Sequence, residues 1–187
     1  MAADDRREML IDATLPLVAE HGLKVTSKQI AEAAGVAEGT IFRVFHDKEA
    51  LVTAAVDKAL DPAPLMAALA GINAALPLRE RLLEIVGIVQ ERFKTVFNLM
   101  IAVKMYGPPS AVDQCRHRAK NEAVLHEVVR LLEPDQASFR RPVAEVTHVL
   151  RLLTFAGSHP MITDGRLLTA EEIVDVLLDG TLQHQND

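Results

Sequence analysis

Between Gly22 and Leu51 the chain reads GLKVTSKQIAEAAGVAEGTIFRVFHDKEAL, which leaves room only for very short helices separated by a glycine turn. Thr26 and Gln29 stand at capping-box spacing, so a helix is expected to begin at about Ser27. Ile30, Ala31 and Ala34 share one face at helical spacing, and Gly35 supplies the left-handed residue that ends such a helix. After Val36, the stretch from Ala37 to Phe45 places Ile41, Val44 and Phe45 on one side. Gly39, Thr40, Phe42 and Arg43 fall nearer the other. Asp47 then caps a third helix carrying Lys48 and Leu51. Two short helices crossing steeply through a tight turn make a helix-turn-helix, in which the second helix reads base edges and the first crosses the DNA backbone.

At these residues the chain resembles the TetR family of bacterial transcriptional regulators. The resemblance runs from about Leu10 to Leu51 and rests on Gly22, Thr26, Ile30-Ala31, Ala34-Gly35-Val36, Gly39-Thr40, Phe42, Phe45, and Lys48 with Leu51. It implies an all-α protein of about nine helices. An N-terminal three-helix DNA-binding domain at 1–51, its third helix leading onward from about residue 47, would precede a helical regulatory and dimerisation domain at 52–187.

Several positions depart from the family pattern. Ala37 stands where Ser or Thr commonly caps the recognition helix, and it cannot cap, at a cost of about 1 kcal/mol. Phe42 stands where Tyr is usual and Val44 where His or Tyr is frequent, so two phosphate contacts are expected to be missing. Glu38 suits the helix dipole but is repelled by phosphates. Pro16 inside the first helix removes a backbone donor, at roughly 3 kcal/mol if nothing compensates. A DNA binder with fewer phosphate contacts than its relatives is expected.

Charge bears on the same point. Residues 1–60 hold seven Lys and Arg against ten Asp and Glu, a balance of −3, within a chain of net charge −6. Neutralised phosphates supply most non-specific DNA affinity, so the placement of each cation matters more than the sum. Arg43 is the first choice for a base contact, because its planar fork matches guanine O6 and N7; a phosphate contact is the alternative. Lys28 and Lys48 are expected at phosphates, with His46 a further candidate and Arg6-Arg7 as a short arm. Thr40 can bond a phosphate or touch a thymine methyl, Phe42 can touch a methyl or a sugar, Gly39 lets the backbone approach DNA closely, and Thr26 is a further DNA-binding candidate.

The 187 residues are 49% hydrophobic, enough for a real core in one ordinary domain or two small ones. No secretory leader opens the chain, and its longest apolar run, near Val96 to Val103, is interrupted by Asn98 and too short to span a bilayer. A cytoplasmic location without membrane attachment is therefore expected, and the lone Cys115 fits a reducing compartment.

Beyond the motif, proline and glycine divide the chain into helices. They are expected over about 63–75, 77–104, 111–132, 139–155 and, from a capping box at Thr169 and Glu172, to about Leu182. Val146, Leu150 and Leu153 with Ile173, Val176 and Leu177 form apolar stripes suited to a four-helix homodimer interface, or to packing inside one subunit. A dimer would set two recognition helices about one DNA turn apart, as a palindromic operator requires. Met66, Phe93, Phe97, Asn98, Met100, Met105, Tyr106 and Phe155 are candidates for the small-molecule pocket that the family resemblance implies, or for plain core. Their scarcity of charge favours a mostly hydrophobic effector of unknown identity.

No phosphate-binding loop, dinucleotide motif or nucleophile elbow is found, and no catalytic residue, cofactor or metal site is expected. Cys115 with His117, and His148 with His159, lack zinc-motif spacing. The reading is thus a homodimeric DNA-binding transcriptional regulator, taken as a repressor, released by a small ligand. The alternative is a helical ligand-binding or interaction protein of the same fold whose DNA binding has weakened or been lost.

Overall fold

The computed structural model describes residues 3–103 and 111–182, with side chains described for 4–103 and 122–182. The helices are α1 (Ala3–His21), α2 (Ser27–Ala33), α3 (Glu38–Val44), α4 (Lys48–Ala59), α5 (Ala63–Ala70), α6 (Leu78–Ala102), α7 (Ala111–Leu132), α8 (Val143–Ser158) and α9 (Ala170–Thr181). Short 3-10 segments lie at Gly22–Lys24 and Glu133–Ser138. Among the described residues there is no strand, only one isolated bridge between Phe139 and Leu182. No described helix is long and apolar enough to cross a membrane.

The chain forms two compact units, one of residues 1–61 with 95–108 and one of 62–94 with 109–187. In the first, α1 packs on α2, α3 and α4. Leu10, Val18, Val25, Ile30, Ile41, Leu51 and Ala55 are fully buried there, joined by Leu99 and Val103. Helix α1 runs through Pro16, which, like Asp12 one turn earlier, lies on the exposed side. The carbonyl that proline leaves without an amide donor therefore opens to water, which lowers the cost of the substitution.

Backbone conformation fixes two turns. At the end of α2, Gly35 takes φ +65, its amide donates to the Glu32 carbonyl and the Val36 amide to that of Ala31. This double bond pattern closes the helix as a Schellman motif. At the end of α1, Gly22 takes φ +60, and a Cβ there would stand 2.2 Å from the Ala102 carbonyl oxygen. Conformation and space both demand glycine at this position.

In the second unit the core gathers Leu69, Leu82, Ile85, Leu131, Leu132, Val146, Ile173 and Leu177. Helix α5 stops at Ala70, short of the expected 75, and α8 begins at Val143, later than the expected 139. Pro142, extended at ψ 139, sets the second limit by serving as the N-cap. The turn after α5 is secured by Arg81, only 3% exposed. Its guanidinium donates to the carbonyls of Ala74 and Leu76 and to the carboxylate of Asp135. A buried cation so paired is costly to orphan.

Gly22→Ala is expected to lower stability by about 2–4 kcal/mol, from a left-handed backbone plus an overpacked contact. Thermal unfolding checks this; an unchanged midpoint would show that the close approach to Ala102 is not a constraint.

Candidate nucleic-acid interface

Helix α3 has only seven residues, too few to be stable alone, so its pose is set by what it buries. Ile41 is fully buried and Phe45, its C-cap, is 4% exposed. Gly39, Phe42 and Arg43 are exposed, while Thr40 and Val44 are half-buried. The expected division is seen for Ile41 and Phe45 against Gly39, Phe42 and Arg43, whereas Thr40 and Val44, expected on opposite faces, are both half-buried. Phe42 is 51% exposed, an apolar ring held in water. Among the described residues Arg43 makes no ion pair, and neither does the exposed Lys28.

The helix starts are fastened differently. The Thr26 hydroxyl accepts from the Gln29 amide at 3.2 Å and Gln29 Oε1 accepts from the Thr26 backbone amide at 2.9 Å, completing the expected capping box, while the hydroxyl also donates to Gln29 Oε1 at 2.8 Å. Thr26 is thus already committed within the fold. Ala37 leaves α3 without a side-chain cap, as its chemistry requires. Instead, the Ser27 hydroxyl donates to the Glu38 carboxylate, joining the first residue of α2 to the first residue of α3. This pair was missed in the sequence. No periodicity links positions 27 and 38, and only a shared turn geometry brings them together.

The other cations are more constrained than the sequence suggests. Lys48 Nζ donates to the Leu23 carbonyl at 3.3 Å and lies 3.8 Å from Glu49. His46 is 79% exposed, with Nε2 at 2.8 Å from Asp47 Oδ2. Asp47 caps α4 through its other oxygen, accepting from the Ala50 amide at 2.7 Å. Arg6 and Arg7 do not form an arm: both lie in α1, and the Arg7 guanidinium sits 4.4 Å from the centroid of Phe45. That stacking braces the end of α3 from outside. Lys58 is held by Asp12 at 2.6 Å and Glu8 at 2.5 Å, and the hydrogen bonds to Asp12 and then Glu8 raise its pKa above the ordinary 10.5. Its stabilising contribution is therefore complete below that value and lost as pH rises through the raised one.

The residues expected to line a pocket are divided between the two units. Phe97, Asn98 and Met100 belong to the first, Met66, Phe93 and Phe155 to the second. Phe93 and Phe155 meet edge to face at 5.5 Å. Asn98 instead lines a cleft of about 450 Å³ with Ala19, Glu20, His21, Gly22, Ile101 and Ala102. Met105 and Tyr106 lie outside the described residues, as do the side chains of Cys115 and His117.

The apolar stripes of α8 and α9 are turned inward. Val146, Leu150, Ile173 and Leu177 are each at most 3% exposed within one chain, and Leu153 is half-buried. Alternation of three and four marks the face that meets the most apolar neighbour, which here is the unit's own core. Of the six, only Val176 is well exposed, at 58%; Val149, at 37%, Leu152, at 47%, and Phe155, at 39%, are the exposed large apolar residues of α8.

Residues 10–55 match the family described as bacterial regulatory proteins, tetR family. The fold is similar to that of a tetR-family transcriptional regulator from Streptomyces coelicolor, with TM-score 0.69 and 21% identity over 96% of this chain and 80% of that one. A TetR transcriptional regulator, also from Streptomyces coelicolor, aligns with TM-score 0.56 and 23% identity over 95% and 99% of the two chains. NalD, the secondary repressor of the MexAB-OprM multidrug efflux pump in Pseudomonas aeruginosa, aligns over 100% of both chains with TM-score 0.58 and 17% identity.

Thr26→Ala is expected to cost about 1 kcal/mol of stability by removing the cap of α2. Chemical denaturation reads it, and a loss near zero would show that Gln29 alone holds the helix start.

Proposed function

We infer the function from one premise: through residues 10–55 this chain belongs to the tetR family of bacterial regulatory proteins. It is a DNA-binding transcriptional regulator. The finer reading is our proposal: a homodimer that binds a palindromic operator, represses, and is released when a mostly hydrophobic small ligand favours the conformation that does not bind DNA. The observation that carries it is the outer face of α3, where Gly39, Phe42 and Arg43 are exposed, with Thr40 half-buried beside them, on a helix anchored by Ile41 and Phe45.

In this reading Arg43 pairs with a guanine edge, and Thr40 and Phe42 contact a thymine methyl or the sugar-phosphate backbone. Gly39 permits close approach of the helix. Lys28, with no ion pair among the described residues, supplies a phosphate contact, and Lys48 and His46 contribute at the start of α4. Thr26 serves by capping α2. We place the dimer interface on three of the exposed apolar residues of α8 and α9, Val149, Leu152 and Val176, with Gly180 leaving open space for close approach of a partner helix.

A second reading, a helical ligand-binding protein with weakened DNA affinity, draws on the balance of −3 over residues 1–60 and on the pairing of Lys58 with Glu8 and Asp12. Incubation with a random double-stranded DNA pool at moderate salt, followed by sequencing of the bound fraction, separates the two. Enrichment of one palindrome is expected, and Arg43→Ala should weaken binding to it by about 1–3 kcal/mol. No enrichment even at low salt would put the second reading ahead. For the dimer, Leu152→Glu is expected to shift sedimentation equilibrium toward monomer; an unaltered dimer would place the interface elsewhere.

A further inference from the structure

We propose that the buried polar side chains of α8 form a binding site for an organic monocarboxylate, its head group held by Arg151 and Thr147 and a second, uncharged oxygen met by Ser158. This deepens the ligand-release reading above, on which it rests, by naming the chemical class of the ligand.

Thr147, Arg151, Thr154 and Ser158 recur along α8 at steps of four, three and four, so they share one face of the helix. Thr147, Thr154 and Ser158 are at most 2% exposed, and Arg151 is half-buried. The buried hydroxyls of Thr14, Thr154 and Thr181 are satisfied within their own helices, each donating to the carbonyl four residues earlier at 2.7, 2.8 and 2.6 Å. Those of Thr147 and Ser158 break this pattern and have no hydrogen-bond partner. Arg151 Nε is buried and equally unpartnered, and its guanidinium enters no ion pair among the described residues. Of the four such buried side-chain atoms among the described residues, three therefore lie on one face of one helix. The fourth, Arg81 Nε, belongs to a guanidinium whose other nitrogens are paired.

An unmet buried donor costs more than a made hydrogen bond returns, so a row of three calls for a partner from outside the fold. All three groups can donate and one is a full cation, which selects an acceptor of negative charge. A guanidinium fork matches a carboxylate. Arg151 is the only Lys or Arg of α8, so it balances one negative charge and would leave a phosphate dianion in excess. Thr147 lies one turn before Arg151, about 6 Å along the axis, and helical side chains lean toward the N-terminus, so the two converge on one head group. Ser158 stands about 10 Å away in the other direction, where it can meet a second oxygen of the ligand. Between them Phe155, 39% exposed, meets Phe93 of α6 edge to face at 5.5 Å. This ring pair offers an apolar surface to the body of the ligand and marks the edge at which the site opens.

Isothermal titration calorimetry of the full chain with octanoate tests this, with octanol as the uncharged control. Octanoate is expected to bind about tenfold more tightly than octanol, or better, and Arg151→Gln should weaken octanoate by about 10- to 150-fold while leaving octanol unchanged, as the loss of hydrogen bonds to a charged group implies. Thr147→Val keeps the shape and removes only the hydroxyl. It should weaken octanoate, yet hold or raise the thermal midpoint of the free protein, because that hydroxyl has no partner in the fold. A lowered midpoint, no octanoate binding, or undiminished binding by Arg151→Gln would overturn the proposal. ω-Hydroxyoctanoate should bind more tightly than octanoate, an advantage that Ser158→Ala removes; no advantage in the unaltered protein would exclude Ser158 from the site. If octanol binds as well as octanoate and releases a selected operator, the inference fails while the release reading stands. Octanoate binding that depends on Arg151 but leaves operator affinity unaltered would uphold the site and overturn the release reading.

Discussion

The burial of Ile41 and Phe45 is the contact on which the candidate interface depends. A seven-residue helix has no persistence of its own, because nucleation costs more than so few hydrogen bonds return. Two large side chains in the core of the first unit supply the missing stability, and in doing so they decide which residues of α3 remain outside. Arg7 over the Phe45 ring and Ser27 at the Glu38 carboxylate hold the two ends of the same helix. The orientation of the outer face is thus set by three contacts whose partners lie in α1, α2 and the shared core.

Electrostatics in the first unit is governed by pairing more than by totals. Lys58 is drawn between Glu8 and Asp12, and Lys48 toward a backbone carbonyl, so neither presents a fully available ammonium. Arg43 and Lys28 remain outside such pairs among the described residues. Exposed ion pairs contribute little to stability, and their larger effect here is to choose which charges stay available to a polyanion.

The second unit solves a different problem, joining helices through turns rich in backbone groups that need partners. Arg81 collects two carbonyls and the Asp135 carboxylate, Gln90 donates to the Leu168 carbonyl at 2.9 Å, and Arg140 donates to the Gly180 carbonyl at 2.6 Å. Each long polar side chain closes a turn that helical periodicity cannot describe. Thr147, Arg151 and Ser158 of α8 keep buried polar atoms without a hydrogen-bond partner, a cost that the apolar packing around them must offset.

Local chemistry was legible from the chain alone. The capping boxes at Thr26 and Thr169, the left-handed stop at Gly35, the uncapped start at Ala37 and the division of α3 into two faces each depend on residues within a few positions of one another. Tertiary structure decided what distance in sequence conceals. It turned the stripes of α8 and α9 inward, because periodicity marks an apolar face without naming the surface that covers it. It drew Arg7 onto a ring, withdrew Lys58 from the supply of cations, and brought Ser27 to Glu38, because pairings between helices follow from packing angles that no single segment encodes.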